Sequence, residues 1–176
     1  RVPEMTIQEY QHRVSLGEEF ILIDTRTPEE FQRATLPGSR NIPNGELVLR
    51  IAEVIGDSDS TVVVHCGGRT RSIIGTQILL EMNLPNTLVG LQNGTMGWLL
   101  AGYELETGRQ PQPLPLPSSD RAVFAEKFAR KLTKEHEVAH LSAAELQDLV
   151  GKGEHETLYL VDVRIAEEYE QGHIPN

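Results

Sequence analysis

The chain repeats a pattern. ILIDTRTPEEFQRATLP at 21–37 returns as YLVDVRIAEEYEQGHIP at 159–175, 138 residues later. Asp24 aligns with Asp162, Arg26 with Arg164, Glu29 and Glu30 with Glu167 and Glu168, Phe31 with Tyr169, and Pro37 with Pro175. Upstream, Thr6-Ile7-Gln8-Glu9 matches Ser142-Ala143-Ala144-Glu145 at an offset of 136. Both tetrads read as a helix-capping box, with a hydroxyl at the N-cap and a carboxylate three residues on. Self-similarity at this spacing means one folding unit used more than once. The second copy reaches Asn176 where the first runs on. The expected organisation is therefore one whole unit, residues 1–108, and an incomplete N-terminal part of another, residues 139–176.

Between the copies, RQPQPLPLPSSD at 109–120 sets prolines at alternate positions. Proline lacks an amide donor, so this stretch fits neither a helix nor a sheet interior and reads as a polyproline-like linker. Phe124, Phe128 and Leu132 then recur every four residues, predicting a linker helix over 121–138 with a narrow apolar stripe. Inside the first unit, apolar runs at Phe20–Ile23, Thr61–Val64 and Thr87–Val89 read as strands covered on both faces. They alternate with helical patterns at Thr6–Val14, Pro28–Arg33, Glu46–Ile55 and Ser72–Met82. Strand–helix alternation predicts an α/β fold with a parallel sheet, whose active site lies beyond the carboxyl ends of the strands. In the second copy, Leu158–Val161 is the one expected strand, too little to complete a sheet. That part is expected to lean on the first unit, pair with another chain or belong to a longer molecule. The start at Arg1, without an initiator Met, likewise points to an excised piece.

Composition bounds the partners. Lys and Arg total 16 against 26 Asp and Glu, a net charge of −10, which disfavours nucleic acid and anionic membranes as partners. One cysteine excludes an intrachain disulfide and suits a reducing compartment, so a cytoplasmic location is expected.

That cysteine stands in a telling place. His65-Cys66-Gly67-Gly68-Arg69-Thr70-Arg71-Ser72 follows the most apolar strand and leads straight into a helical pattern. Two glycines allow unusual backbone angles and close ligand approach. Successive amides turned inward, together with the positive end of the next helix, make an anion cradle. Arg69 and Arg71 add fixed positive charge. All three effects favour negative charge at Cys66 and make it the expected nucleophile. Which arginine faces the cradle is open at this stage. His65 is expected to pack or hydrogen-bond beneath the loop, and Asp24 and Arg26 to tie loops together at a strand end.

ILIDTRTPEEFQRATLPGSRNIP, VVVHCGGRTRS and LQNGTMGWLLAGYELETG together resemble a rhodanese-type sulfurtransferase over residues 1 to about 108, and VDVRIAEEYEQGHIPN resembles the opening of a second such domain. The resemblance implies a five-stranded, mainly parallel sheet flanked by helices, followed by the linker helix and the start of the second copy. It implies a catalytic Cys66 that takes a sulfane sulfur from a small anion such as thiosulfate. The persulfide then passes that sulfur to cyanide, a thiol or a protein thiol, without a dissociable cofactor. Gly67, Gly68, Arg69, Thr70, Arg71 and Ser72 would bind the persulfide and the substrate anion. One departure is Ala34-Thr35 where the family commonly has Gly-His, as the second copy does at Gly172-His173; it reads as drift at a turn.

Three other readings compete. A cysteine-dependent phosphatase or arsenate reductase needs an arginine six positions after the cysteine, where this chain has Ser72. A persulfide carrier or interaction module with little turnover would look the same in sequence. His136-Glu137-Val138-Ala139-His140 satisfies a zinc-protease pattern. It falls where the linker helix should end, so no metal site is expected there.

Overall fold

The computed structural model describes residues 1–56, 58–151, 158–164 and 166–175. It divides into two units, Arg1–Lys131 and Leu132–Asn176. In the first, β1 (Glu4–Met5), β2 (Phe20–Asp24), β3 (Arg40–Asn41), β4 (Thr61–His65) and β5 (Leu88–Leu91) form one sheet in the order β1-β5-β4-β2-β3. Every pairing is parallel, with Phe20 opposite Thr61, Asp24 opposite His65, and Val62 opposite Leu88. The central strand β4 is buried at Val62, Val63 and Val64 because helices cover both faces. Val63, Leu22 and Val89 join Met5, Ile7, Tyr10, Leu91 and Trp98 in a cluster on one face. The strands and helices foreseen for this unit are present with boundaries within two residues; the two-residue edge strands β1 and β3 are too short to leave a sequence pattern.

Local chemistry sets the boundaries. Thr6 caps α1 (Ile7–Ser15) by accepting the Glu9 amide at 3.0 Å. Thr27 and Glu30 form a reciprocal capping box on α2 (Pro28–Arg33), with Pro28 in the first turn where its missing amide costs nothing. A 3₁₀ turn (Asn44–Glu46) leads into α3 (Leu47–Ile55), which packs on α4 (Thr70–Glu81). In α4, a Cβ on Gly75 would meet Asn44 Oδ1 at 2.6 Å, so glycine permits that close approach. Helix α5 (Gly94–Leu100) follows β5. The proline segment is tethered rather than free: Arg50 Nη1 donates to the Pro115 carbonyl at 2.6 Å.

Helix α6 runs Ser119–Glu135 and buries Phe128, with Phe124 stacked on it at 5.8 Å. The predicted end at 138 is too late, because Glu137 takes a left-handed φ of 51°. His136 and His140 therefore do not share a helical face, and the zinc-protease geometry is absent. In the second unit, α7 (Ala143–Gly151) carries a complete capping box, Ser142 N to Glu145 Oε2 at 2.7 Å and Glu145 N to Ser142 Oγ at 3.2 Å. Helix α8 (Ala166–Gln171) matches α2. The expected strand at Leu158–Val161 is not formed. In the first unit the equivalent β2 is held by β4 and β3, and among the described residues of 139–176 no strand stands beside this stretch. Asn176 lies outside the described residues.

Candidate active site

Cys66 follows β4 directly, at the carboxyl end of the sheet, and is only 2 % exposed. Its Sγ lies 3.6 Å from Ser72 Oγ, which itself donates to the Arg69 carbonyl at 2.8 Å. The loop is gripped from above by α5. Thr95 N donates to the Cys66 carbonyl at 2.9 Å, and Met96 N to the Gly67 carbonyl at 3.1 Å. With these carbonyls committed to α5, the peptide units are fixed in orientation. The N-terminus of α4 has no side-chain cap, so its first-turn amides at Thr70, Arg71 and Ser72 keep their positive potential for an anion.

Two corrections concern the glycines. Gly67 and Gly68 are not among the residues with positive φ. Packing does not demand glycine at either position, since a Cβ on Gly68 would meet nothing within 4 Å and one on Gly67 only Arg26 Cδ at 3.7 Å and Arg71 Nη2 at 3.8 Å. The glycine that the loop requires is Gly94, at φ +48°, where a Cβ would lie 1.9 Å from the Cys66 carbonyl oxygen. In the sequence Asn93-Gly94 reads only as a turn signal; nothing local reveals that the turn rests on the cysteine loop.

The structure separates the two arginines. Arg69 projects to the surface and pairs with Glu4, Nη2 to Oε2 at 2.6 Å. Arg71 pairs in a fork with Glu30, Nη1–Oε2 at 2.6 Å and Nη2–Oε1 at 2.8 Å. Its Nη2 lies 3.8 Å from where a Gly67 Cβ would stand, so Arg71 borders the loop. Neither carboxylate is foreseeable from sequence, because the partners are 65 and 41 residues apart.

Beneath the loop, His65 and Asp24 are fully buried. His65 Nε2 shares a hydrogen bond with Ser39 Oγ at 2.8 Å, and Nδ1 stands 4.0 Å from Asp24 Oδ2. Burial pushes the imidazole down to about 4; nearby Arg26 adds to this, while Asp24 opposes it. Asp24 accepts from Arg26 Nε at 3.0 Å, Arg26 Nη2 at 2.7 Å and Thr35 Oγ1 at 2.7 Å. Burial alone would raise its carboxyl, but the Arg26 hydrogen bonds with the neighbouring charges prevail and hold it below the ordinary value. Arg26 also donates to the Ala34 carbonyl at 2.5 Å. These groups tie loops together, and Thr35 is a working member of the tie.

A family model, the Rhodanese-like domain, matches residues 6–101 and 142–176. A crystal structure of a thiosulfate sulfurtransferase from Pseudomonas aeruginosa superposes with a TM-score of 0.82 at 40% identity, covering 99% of this chain and 33% of that one. The thiosulfate sulfurtransferase PspE of Escherichia coli is 40% identical over 60 residues, 34% of this chain and 58% of PspE. An HTH-type transcriptional regulator of Mycobacterium tuberculosis is 33% identical over 90 residues, 51% of this chain and 39% of the regulator. The chain thus spans only part of these relatives.

Proposed function

The chain belongs to the rhodanese-like domain family, and we propose that residues 1–108 form a sulfurtransferase working through a persulfide on Cys66. The observation that carries this reading is the cysteine at the end of β4, in a loop oriented by α5 and facing the uncapped N-terminus of α4. Cys66 sulfur attacks the outer sulfur of thiosulfate; the donor's S–S bond breaks and sulfite leaves with the bonding pair. The persulfide carries the outer sulfur until an acceptor thiol or cyanide attacks it and the Cys66 thiolate departs. Amides from Gly67 to Ser72 hold the anionic sulfur, and Arg71 at the rim stabilises charge that develops there. No dissociable cofactor takes part in this scheme. Residues 109–120 act as linker, and 139–176 as the opening of a further domain. A single cysteine suits a reducing cytoplasm.

Incubation with thiosulfate followed by intact mass should show one added sulfur atom, absent in Cys66→Ser. No adduct, or an adduct that survives that substitution, would overturn the proposal. A second reading, a persulfide carrier delivering sulfur to a protein thiol, draws on Met96, Leu99 and Leu100, exposed on the helix that grips the loop. Faster transfer to protein thiols than to cyanide would favour it.

A further inference from the structure

Both arginines that the loop offers to an anion already hold one. Arg71 presents two of its nitrogens to both oxygens of Glu30, a fork geometry that fixes the guanidinium plane. Glu30 is itself immobilised, because its Oε2 also accepts the Thr27 amide at 3.3 Å as part of the α2 capping box. The pair is partly exposed, 42% for the Arg71 side chain and 32% for that of Glu30, but the carboxylate is anchored in one helix and the guanidinium in another, beside Gly67. The Arg71 cation is stabilised first by its hydrogen bonds to Glu30, and the Glu30 charge adds to the effect. Arg69 differs. Its side chain is 56% exposed, and only Glu4 acts on it.

From this geometry we infer that Glu30 is a specificity-determining residue, an internal anion that limits how much negative charge the Cys66 site accepts from a donor. The inference rests on the proposed role of the Cys66 loop as an anion cradle. Arg71 and Glu30 together bring no net charge to the rim, so Glu30 offsets part of the pull that Arg71 would otherwise add to that of the loop amides on a dianion such as thiosulfate. A donor with a single charge loses less from the presence of Glu30. Replacing Glu30 by glutamine removes the charge while its amide oxygen can still accept from Thr27.

A readout independent of sulfur transfer is the alkylation rate of Cys66 by anionic iodoacetate divided by that for neutral iodoacetamide, measured on the full chain. Glu30→Gln should raise this ratio about three- to tenfold at low ionic strength, and molar salt should erase most of the gain. Glu4→Gln, acting on solvent-screened Arg69, should move it by less than about twofold. Arg71→Gln should lower the ratio, and the double variant should return it towards wild type. If Glu30→Gln does not fold, the Arg71→Gln result decides: an unchanged ratio overturns the inference. A folded Glu30→Gln with an unchanged ratio, or an equal effect of Glu4→Gln, also overturns it. Relative kcat/KM for thiosulfate against the monoanion methanethiosulfonate should shift the same way. A charge-sensitive ratio in a protein that never gains sulfur would uphold Glu30 and sink the sulfurtransferase reading. A protein that loads sulfur with a ratio blind to Glu30 would do the reverse.

Discussion

Asp24–Arg26 and Asp162–Arg164 are one motif in two settings. In the first, Arg26 reaches Asp24 at 3.1, 3.0, 3.2 and 2.7 Å and then the Ala34 carbonyl. In the second, Arg164 reaches Asp162 at 3.0, 3.0, 3.2 and 2.6 Å and then the Gly172 carbonyl. The local geometry is nearly identical, although among the described residues only the first copy has a sheet around it. Enclosure is what differs: the Arg26 side chain is 8% exposed and that of Arg164 43%. The Asp162 carboxyl sits at about 2, set first by its hydrogen bonds from Arg164. For Asp24, burial opposes the same bonds. Local sequence builds the clasp. The sheet makes it indispensable, because a buried charge that loses its partner cannot turn to water.

The comparison breaks most visibly on deletion of the carboxylate. Asp24→Ala leaves Arg26 buried and unpaired and should cost about 3–5 kcal/mol in urea unfolding. Asp162→Ala should leave the unfolding midpoint unmoved, because water replaces the partner. A comparable loss in both variants would mean that the second clasp is enclosed in solution.

The next effect is on pH dependence. The unfolded chain protonates His65 near pH 6.5, whereas the folded chain resists until about 4. Between those values the unfolded state binds more protons, so stability rises with pH and is lost as pH falls from 6.5 towards 4, by about 3 kcal/mol. The Asp24 carboxyl, held low, adds a further loss only below its ordinary range near 3.8. Denaturation midpoints between pH 7 and 4.5 measure the first window, and a flat profile would contradict the burial of His65.

A smaller contrast lies in two glycines. Gly94→Ala forces a Cβ into the Cys66 carbonyl and should cost about 1–3 kcal/mol. It should also slow sulfur loading at least about tenfold, if misplacing the loop loses some 1.4 kcal/mol at the transition state. Gly172→Ala, where a Cβ would meet nothing within 4 Å, should leave loading unchanged. The smallest effect concerns the exposed clasp itself. Raising salt should weaken Asp162–Arg164 and leave Asp24–Arg26 untouched, as amide shifts of Arg164 and Arg26 would report.

The strand–helix order, the cysteine loop and the repeat were legible because each is encoded over a few consecutive residues. The purpose of Ala34-Thr35 was not. It reads as drift at a turn, yet Thr35 donates to Asp24 and so takes part in the buried tie. The strand expected at Leu158–Val161 failed for a related reason: apolar sequence permits a strand, but a ladder needs a neighbour.

Periodicity and capping chemistry, acting within a turn or two, were enough to specify the helices α1 and α2, the buried strands β2 and β4, and the exposed clasp at Asp162. Contacts across 26 to 65 residues decided the rest. They set α5 on the Cys66 loop, gave Arg71 to Glu30 and Arg69 to Glu4, and brought Ser39 to His65. Such pairings depend on the parallel crossovers that carry distant segments to one edge of the sheet, and no short stretch of the chain contains that information.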